Sequence, residues 1–148
     1  MARAVLALGA NLGDPARQLE QAVEAIADHP RISLVKQSTV IVTPPWGKTD
    51  QAEFHNAAVL IDTTLEPREL LDFCLATEAS IGRVRLEKWG PRVIDIDIIA
   101  YDDLVLETER LTLPHRHAHE RDFVLDPVRE IAPEIAAWLV NRGDRTSG

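Results

Sequence analysis

Residues 83–99 place a positively charged loop directly before a segment in which isoleucine and aspartate alternate. Alternation with a period of two is typical of a β-strand, so Asp95 and Asp97 share one face while the isoleucines around them share the other. The two carboxylates would lie about 7 Å apart along such a strand. A solvated strand face also produces this pattern. From the strand alone, a solvated face and a functional site are both possible interpretations.

The cations that precede the strand favour the functional interpretation. The loop carries one anion, Glu87, and four cations: Arg83, Arg85, Lys88 and Arg92. Arginine and lysine bind phosphate groups, and paired carboxylates suit Mg²⁺, which completes its octahedron with water and substrate phosphate. Together these features predict a phosphoryl-transfer site, where catalysis depends mainly on positioning and charge stabilisation.

Length and composition narrow the class of protein. The chain of 148 residues is long enough for one domain, which we place at residues 1–140, with residues 141–148 as a disordered tail. A formal charge of −8 argues against a general nucleic-acid binder. The single cysteine, Cys74, cannot form an internal disulfide, and no apolar run is long enough to cross a membrane. We therefore expect a cytoplasmic protein.

The predicted elements follow the order β-α-β, β-α-β and then a C-terminal extension. Strands are predicted at residues 2–9, 32–43, 54–63 and about 92–101, helices from Asp14-Pro15, from Pro67 to Gly82 and within residues 123–131, and a hairpin or loop at residues 104–113. This order predicts an α+β fold of the ferredoxin-like type, a split βαβ sandwich (βαββαβ) with its helices on one sheet face and a C-terminal helical appendage.

Two further groups of polar residues have more than one interpretation. Glu78 lies near the end of the second helix, where a carboxylate opposes the helix dipole, so it either pairs with Arg83 or Arg85 or accepts hydrogen bonds from a ligand. The histidines at 115, 117 and 119 lack a clear four-ligand set, which disfavours a zinc site. We expect His115 and Arg121 to contact phosphate and the other two histidines to lie on the surface.

Aromatic residues are placed in or beside the predicted loops. Trp46, Phe54, Trp89 and Phe123 are suited to stacking on both sides of a flat heterocycle, although each of them separately is also a candidate core residue. Asn56 lies next to Phe54 and offers both a donor and an acceptor to a heterocycle edge. The chain contains no glycine-rich phosphate-binding loop, so a bound nucleotide would have to be held by side chains.

In order along the chain, six blocks resemble the 6-hydroxymethyl-7,8-dihydropterin pyrophosphokinase family of folate biosynthesis. The blocks are Gly9-Ala10-Asn11-Leu12-Gly13-Asp14, Thr43-Pro44-Pro45-Trp46-Gly47, Phe54-His55-Asn56-Ala57-Ala58-Val59, Gly82-Arg83-Val84-Arg85, Trp89-Gly90-Pro91-Arg92 with Asp95-Ile96-Asp97, and Pro114-His115 with Arg121-Asp122-Phe123. The resemblance extends from Leu6 to about Ala136, and the fifth block is its most specific part.

The resemblance implies a ferredoxin-like fold and a Mg²⁺-dependent enzyme that transfers pyrophosphate from ATP to the pterin hydroxymethyl group and releases AMP. It implies that Asp95 and Asp97 bind two Mg²⁺ ions and act in catalysis with Arg83 and Arg92. The implied ATP contacts are Glu78, Arg83, Arg85, Trp89, Arg92, Ile98, Arg110, Thr112, His115 and Arg121. The implied pterin contacts are Thr43, Pro44, Pro45, Trp46, Phe54, Asn56, Trp89 and Phe123.

Two other classes of function are alternatives to a pyrophosphokinase. A non-catalytic nucleotide- or small-ligand-binding regulatory module has the same fold, but it would not need Asp95 and Asp97 beside four cations. An RNA-recognition module is disfavoured because the first strand has no aromatic residue and the chain is acidic. ATP and the pterin are thus the expected partners of a monomer that binds neither nucleic acid nor membrane.

Overall fold

The computed structural model describes residues 1–11, 13–43, 54–82, 94–116, 118 and 121–147. Seven strands and four helices lie within these residues. They are β1 (Ala2–Ala10), α1 (Pro15–Asp28), β2 (Ile32–Gln37), β3 (Ile41–Thr43), β4 (Phe54–Thr63), α2 (Pro67–Ile81), β5 (Asp95–Tyr101), β6 (Leu106–Glu107), β7 (Thr112–Leu113), α3 (Asp122–Ile131) and α4 (Pro133–Ser147).

The main sheet has the strand order β2-β4-β1-β5, and β3 also pairs with β4. All of its neighbouring strands are antiparallel. β1 pairs with β4 along its whole length, from Ala2 opposite Thr63 to Ala10 opposite His55. This topology confirms the ferredoxin-like α+β fold, and β6 with β7 forms the hairpin expected after the fourth predicted strand.

Local sequence explains where the first two helices begin. The side chain of Asp14 accepts a hydrogen bond from the backbone N–H of Arg17 at 3.3 Å, and Pro15 occupies the first helical position of α1. At the start of α2 the backbone N–H of Glu66 donates to the Glu69 carboxylate at 2.9 Å. These contacts satisfy amide groups that the helices leave without intrahelical partners.

The sheet is covered on both faces. α1 and α2 pack on the face that carries Leu6, Ile61 and Ile96, as the predicted one-sided arrangement requires. The C-terminal helices α3 and α4 cover the opposite face, where they contact a second apolar cluster around Val5 and Leu60. The strand alternation that separates Ile96 from its aspartate neighbours therefore points Asp95 and Asp97 toward the α3 side of the sheet.

The predicted second strand is divided in two. Ser38 donates its backbone N–H to the Ala58 carbonyl, and the Ala58 N–H donates to the Ser38 hydroxyl, both at 2.9 Å. Next to it, Thr39 donates its backbone N–H and its hydroxyl to the carboxylate of Glu130 on α3. These contacts interrupt the regular pairing with β4 in the segment between β2 and β3. They also connect the residues that precede Thr43 to both β4 and α3.

The C-terminal segment differs from our expectation of disorder. α4 continues through residues 141–147 to Ser147. Leu139 is buried in the apolar cluster around Val5 and Leu60, and Trp138 packs against the same cluster. The guanidinium carbon of Arg142 lies 5.6 Å from the centroid of the Trp138 ring. Residues four apart on a helix are neighbours, so this contact supports the helix beyond the predicted end of the domain.

Candidate active site

A cavity of about 250 Å³ opens on the α3 side of the sheet. Its lining includes eight residues that the sequence predicted for the site: Thr43, Phe54, Asn56, Asp95, Asp97, His115, Arg121 and Phe123. These residues come from three strands, the segment after β7 and the start of α3. The fold thus brings both the predicted pterin residues and the predicted phosphate and metal residues of the described chain to one cavity.

A single row across three strands organises the cavity. Gly9 of β1 lies opposite Asn56 of β4 on one side and opposite Asp95 of β5 on the other. Neighbouring strands are separated by about 4.8 Å, so the backbones at Asn56 and Asp95 are about 10 Å apart. An amide group and a carboxylate therefore stand at the two ends of a row whose centre has no side chain.

The central residue of the next row on the same face is again small. Ala7 pairs with Ala58 on β4 and with Asp97 on β5. The methyl group of Ala7 and the absence of a side chain at Gly9 leave a shallow floor between β4 and β5. A Cβ atom added at Gly9 would lie 3.1 Å from Oδ1 of Asn56, so the glycine provides the space in which the Asn56 amide rests.

Asp95 and Asp97 present two carboxylates to the same open cavity. Both residues are exposed, both face the cavity, and the residue between them is buried in the sheet core. Among the residues that the structure describes, no three His, Cys, Asp or Glu side chains cluster as a metal site. Two carboxylates with room for water and phosphate fit Mg²⁺ better than a site built entirely from protein ligands.

Two cationic or titratable side chains approach the cavity from the side of α3. The backbone N–H of His115 donates to the Ile99 carbonyl at 2.9 Å, which fixes His115 beside the strand that carries Asp97. Arg121 immediately precedes α3, and its guanidinium carbon lies 5.9 Å from the centroid of the Phe123 ring. Both side chains are suited to binding a polyanion held at the aspartates.

Four residues predicted around the nucleoside lie elsewhere than in this cavity. Ile98 is 3% exposed and packs on the α2 face, so only its backbone is available to a ligand. Arg110 pairs with Asp72 of α2 at 2.6 Å, and Thr112 lies in β7. Glu78 of α2 accepts a hydrogen bond from the backbone N–H of Ile96 at 2.7 Å. Glu78 and Ile98 thus lie at β5 and Thr112 on the adjoining β7, whereas Arg110 lies against α2.

The remaining predicted residues lie outside the described residues: Pro44, Pro45, Trp46, Arg83, Arg85, Trp89 and Arg92. The cavity floor carries no motif that marks it in the sequence. Ala7 and Gly9 were included in a buried first strand, although the alternation of small residues with Leu6 and Leu8 distinguishes the two faces of that strand.

None of the helices in the described part of the chain has the length and hydrophobicity of a membrane-spanning segment.

Solved structures of low sequence identity share this fold. A crystal structure of Plasmodium falciparum HPPK-DHPS is 16% identical and superposes with a TM-score of 0.69, covering 90% of this chain and 40% of that one. A second structure, of the wild-type protein, has a TM-score of 0.66 with the same coverage of both chains. The chain thus spans less than half the length of these HPPK-DHPS proteins.

Sequence comparison identifies much closer relatives. The chain is 56% identical to the 2-amino-4-hydroxy-6-hydroxymethyldihydropteridine pyrophosphokinase of Methylorubrum extorquens, over 91% of this chain and 85% of that protein. It is 42% identical to the Haemophilus influenzae protein of the same name, over 91% of this chain and 84% of that protein. The family model described as 7,8-dihydro-6-hydroxymethylpterin-pyrophosphokinase matches residues 5–133. The chain belongs to the 7,8-dihydro-6-hydroxymethylpterin-pyrophosphokinase family.

Proposed function

We propose that this protein transfers pyrophosphate from ATP to 6-hydroxymethyl-7,8-dihydropterin, giving AMP and the pterin diphosphate, as a step of folate biosynthesis. Membership of the family and the names of the closely related proteins support this activity. The observation that carries it is the row Asn56–Gly9–Asp95, in which an amide suited to a heterocycle edge lies about two strand spacings from a carboxylate suited to Mg²⁺.

The β4 side of the cavity is the proposed pterin end. Asn56 is 8% exposed, and its amide presents a donor and an acceptor to the polar edge of a flat ring. Phe54 and Phe123 also line the cavity and supply aromatic surface for the ring faces. Thr43 ends β3 beside them, and the neighbouring Pro44, Pro45, Trp46 and the more distant Trp89 are proposed to complete this end of the site.

The β5 side is the proposed phosphate end. Asp95 and Asp97 would hold two Mg²⁺ ions, which when bound would neutralise charge on the phosphates and stabilise the transition state of the transfer. His115 and Arg121 would contact the phosphate oxygens from the α3 side. The nucleoside would extend past the outer edge of β5, toward Glu78, the Ile98 backbone and Thr112, with Arg110 beyond them against α2.

The reaction that this geometry supports is an in-line displacement at the β-phosphorus. The hydroxymethyl oxygen of the pterin forms a bond to the β-phosphorus, the bond from that phosphorus to the oxygen bridging the α-phosphate breaks, and AMP leaves with that oxygen. The hydroxyl proton is released. We propose that Arg83, Arg85 and Arg92 offset the negative charge that accumulates on the phosphates.

We further propose that the enzyme acts as a monomer, because transfer between two small molecules requires no partner chain, and that it is cytoplasmic, as expected from the sequence. The domain would occupy residues 1–140, with α4 extending beyond that boundary.

The two-ended site is tested by variants that affect one end each. With the wild-type protein, release of AMP should require both Mg²⁺ and the pterin. Asn56→Ala should raise KM for the pterin with little change in KM for ATP, whereas Asp97→Asn should remove turnover while pterin binding, measured by fluorescence, persists. The absence of pterin-dependent AMP release from the wild-type protein would contradict the proposed function.

A further inference from the structure

The backbone amide between the two metal-binding aspartates is held by a carboxylate from another element. Ile96 separates Asp95 from Asp97, and its N–H donates to Oε2 of Glu78 at 2.7 Å. Ile96 is 3% exposed, so its side chain is fixed in the core while its amide is fixed by Glu78. The peptide group joining Asp95 to Ile96 is thereby held from two directions.

This contact occurs at the outer edge of the described sheet. Within the part of the chain that the structure describes, β5 is the last strand in the order β2-β4-β1-β5, so its amide groups that point away from β1 have no strand to donate to. Such groups on an exposed edge usually bond to water, which leaves the strand free to twist and fray. Farther along the same strand, the Ile99 carbonyl is held by the His115 N–H. The outer edge of β5 is therefore held by hydrogen bonds on both sides of Asp97, at Ile96 and at Ile99.

The position of Glu78 in its helix is unfavourable for a residue that serves only helix stability. It lies in the last turn of α2, where a negative charge opposes the helix dipole. The Gly82 N–H donates to the Glu78 carbonyl and fixes the backbone there. The carboxylate is half-buried. A hydrogen bond from an amide to a carboxylate is stronger than one to a neutral group, and here it compensates for this placement.

We propose that Glu78 is a positioning residue for the metal site: by accepting the Ile96 amide hydrogen bond, it sets the backbone at which Asp95 and Asp97 project toward the cations. This inference rests on the proposed function only for the identity of the metal ligands. It differs from the nucleoside contact that the family resemblance implies for Glu78, because the role is exerted through β5. Removing such supporting groups around metal ligands typically weakens metal binding by about 10- to 100-fold.

Three substitutions separate the hydrogen bond from the charge and from the side-chain length. Glu78→Gln retains an oxygen acceptor at the same reach, Glu78→Asp retains the charge but is one methylene shorter, and Glu78→Ala removes both. Glu69→Ala on the first turn of α2 is the matched control. It also removes a helix carboxylate, but it lies nine residues, or about 13 Å, earlier along the helix.

The first readout is hydrogen exchange of the Ile96 amide in the full chain without metal or substrates. We expect exchange at least about tenfold faster in Glu78→Ala and Glu78→Asp, and rates near wild type in Glu78→Gln and Glu69→Ala, after correction for any change in global stability. The second readout is binding of Mn²⁺ in the presence of α,β-methylene ATP, which should weaken by about 10-fold or more in the first two variants only.

Unchanged exchange and unchanged Mn²⁺ affinity in Glu78→Ala, together with weaker binding of metal-free nucleotide, would overturn the proposal in favour of a direct nucleoside contact. An equal defect in Glu78→Gln and Glu78→Ala would overturn it as well, since the acceptor is retained in the former. If Glu78→Ala does not fold, the contrast between Gln and Asp provides the same test. Because neither readout uses turnover, failure of the pterin reaction would be recognised separately.

Discussion

Gly9 and Asn56 lie opposite each other on β1 and β4, and among the described residues the space between the two strands at this point is filled by the Asn56 side chain alone. A Cβ atom at Gly9 would approach Oδ1 of Asn56 to 3.1 Å, which is closer than ordinary van der Waals contact. Asn56 is nearly buried, so its amide has little room to move aside. The missing side chain at Gly9 therefore determines where the proposed pterin-binding amide lies.

Gly9→Ala should displace the Asn56 amide and weaken binding at the pterin end. We expect KM for the pterin to rise by roughly 10-fold, equivalent to about 1.4 kcal/mol, with a smaller change in KM for ATP. Steady-state kinetics with each substrate varied in turn provide the measurement. A change confined to KM for ATP would contradict this assignment.

Gly13→Ala is a matched control for that substitution. Gly13 has a φ of 65°, a conformation in which an alanine is strained by about 1–2 kcal/mol, and its added Cβ would lie 2.7 Å from Nε2 of Gln18. The free energy of unfolding should therefore fall by about 1 kcal/mol or more while KM for the pterin stays near wild type. Urea denaturation and kinetics on the same preparation separate the two effects.

Asp95→Asn and Asp97→Asn should each remove one charge from the proposed cation site without changing side-chain size. We expect kcat to fall by about 100-fold or more, or about 2.7 kcal/mol in the barrier, because phosphoryl transfer depends on charge neutralisation. Asp62→Asn is the control, since Asp62 is paired with Arg3 at 2.9 Å and lies six residue pairs from Gly9 along the sheet. Retention of wild-type turnover by Asp97→Asn would exclude its role.

The contact between Glu130 and Thr39 makes stability depend on pH. The Thr39 hydroxyl, and then its backbone N–H, hold the pKa of the Glu130 carboxyl below its ordinary value of 4.5. A carboxyl group whose pKa is lower in the folded state stabilises the protein at pH values above its ordinary pKa. This contribution is lost as the pH falls through the folded-state pKa. Glu130→Gln should therefore lower the free energy of unfolding at neutral pH. Below pH 4.5 the free energy of unfolding of the variant should fall less steeply with pH than that of the wild type.

Urea denaturation across the acid range measures this effect, with Glu24→Gln on the exposed side of α1 as the control. A difference in stability between wild type and Glu130→Gln that does not narrow toward acid pH would show that the carboxylate contact is not the cause. Since Thr39 precedes β3 and Thr43, Glu130→Ala should also raise KM for the pterin.

Cys74 should be inert in the folded protein. Burial, with smaller contributions from the charges of Glu78 and Asp97, raises the pKa of its thiol from 9.0 to about 12. Three pKa units correspond to roughly 1,000-fold less thiolate near neutral pH, in addition to the loss of access. A thiol reagent should therefore react only as the protein unfolds, so that urea accelerates modification. Rapid modification of the native protein would contradict the buried position of Cys74.

Much of the fold was predictable because local patterns agreed with the tertiary structure. The alternation at Asp95 and Asp97 correctly separated the two faces of β5, and Asp14 and Pro67 marked the starts of α1 and α2. The break between β2 and β3 was not predictable, since it depends on Glu130, which lies 91 residues from Thr39 in the chain. The length of α4 depends likewise on packing that a local pattern does not reveal.

The candidate site was predictable to a similar extent. Polar and aromatic residues with evident chemistry, such as Asn56 and His115, line the cavity together. The role of Gly9 was missed because its importance lies in an absent side chain, which acquires meaning only from the strand register. Glu78 was recognised as unusual, but its partner is a backbone amide, and no residue-type pattern identifies which amide it reaches.

In the proposed reaction both terminal phosphates of ATP are transferred together to the pterin. The most direct test is mass spectrometry of the products after incubation of the protein with ATP, Mg²⁺ and 6-hydroxymethyl-7,8-dihydropterin. We expect equimolar AMP and a pterin that carries two phosphates, neither of which should form with Asp97→Asn. A pterin carrying one phosphate together with ADP, or an unmodified pterin, would contradict it.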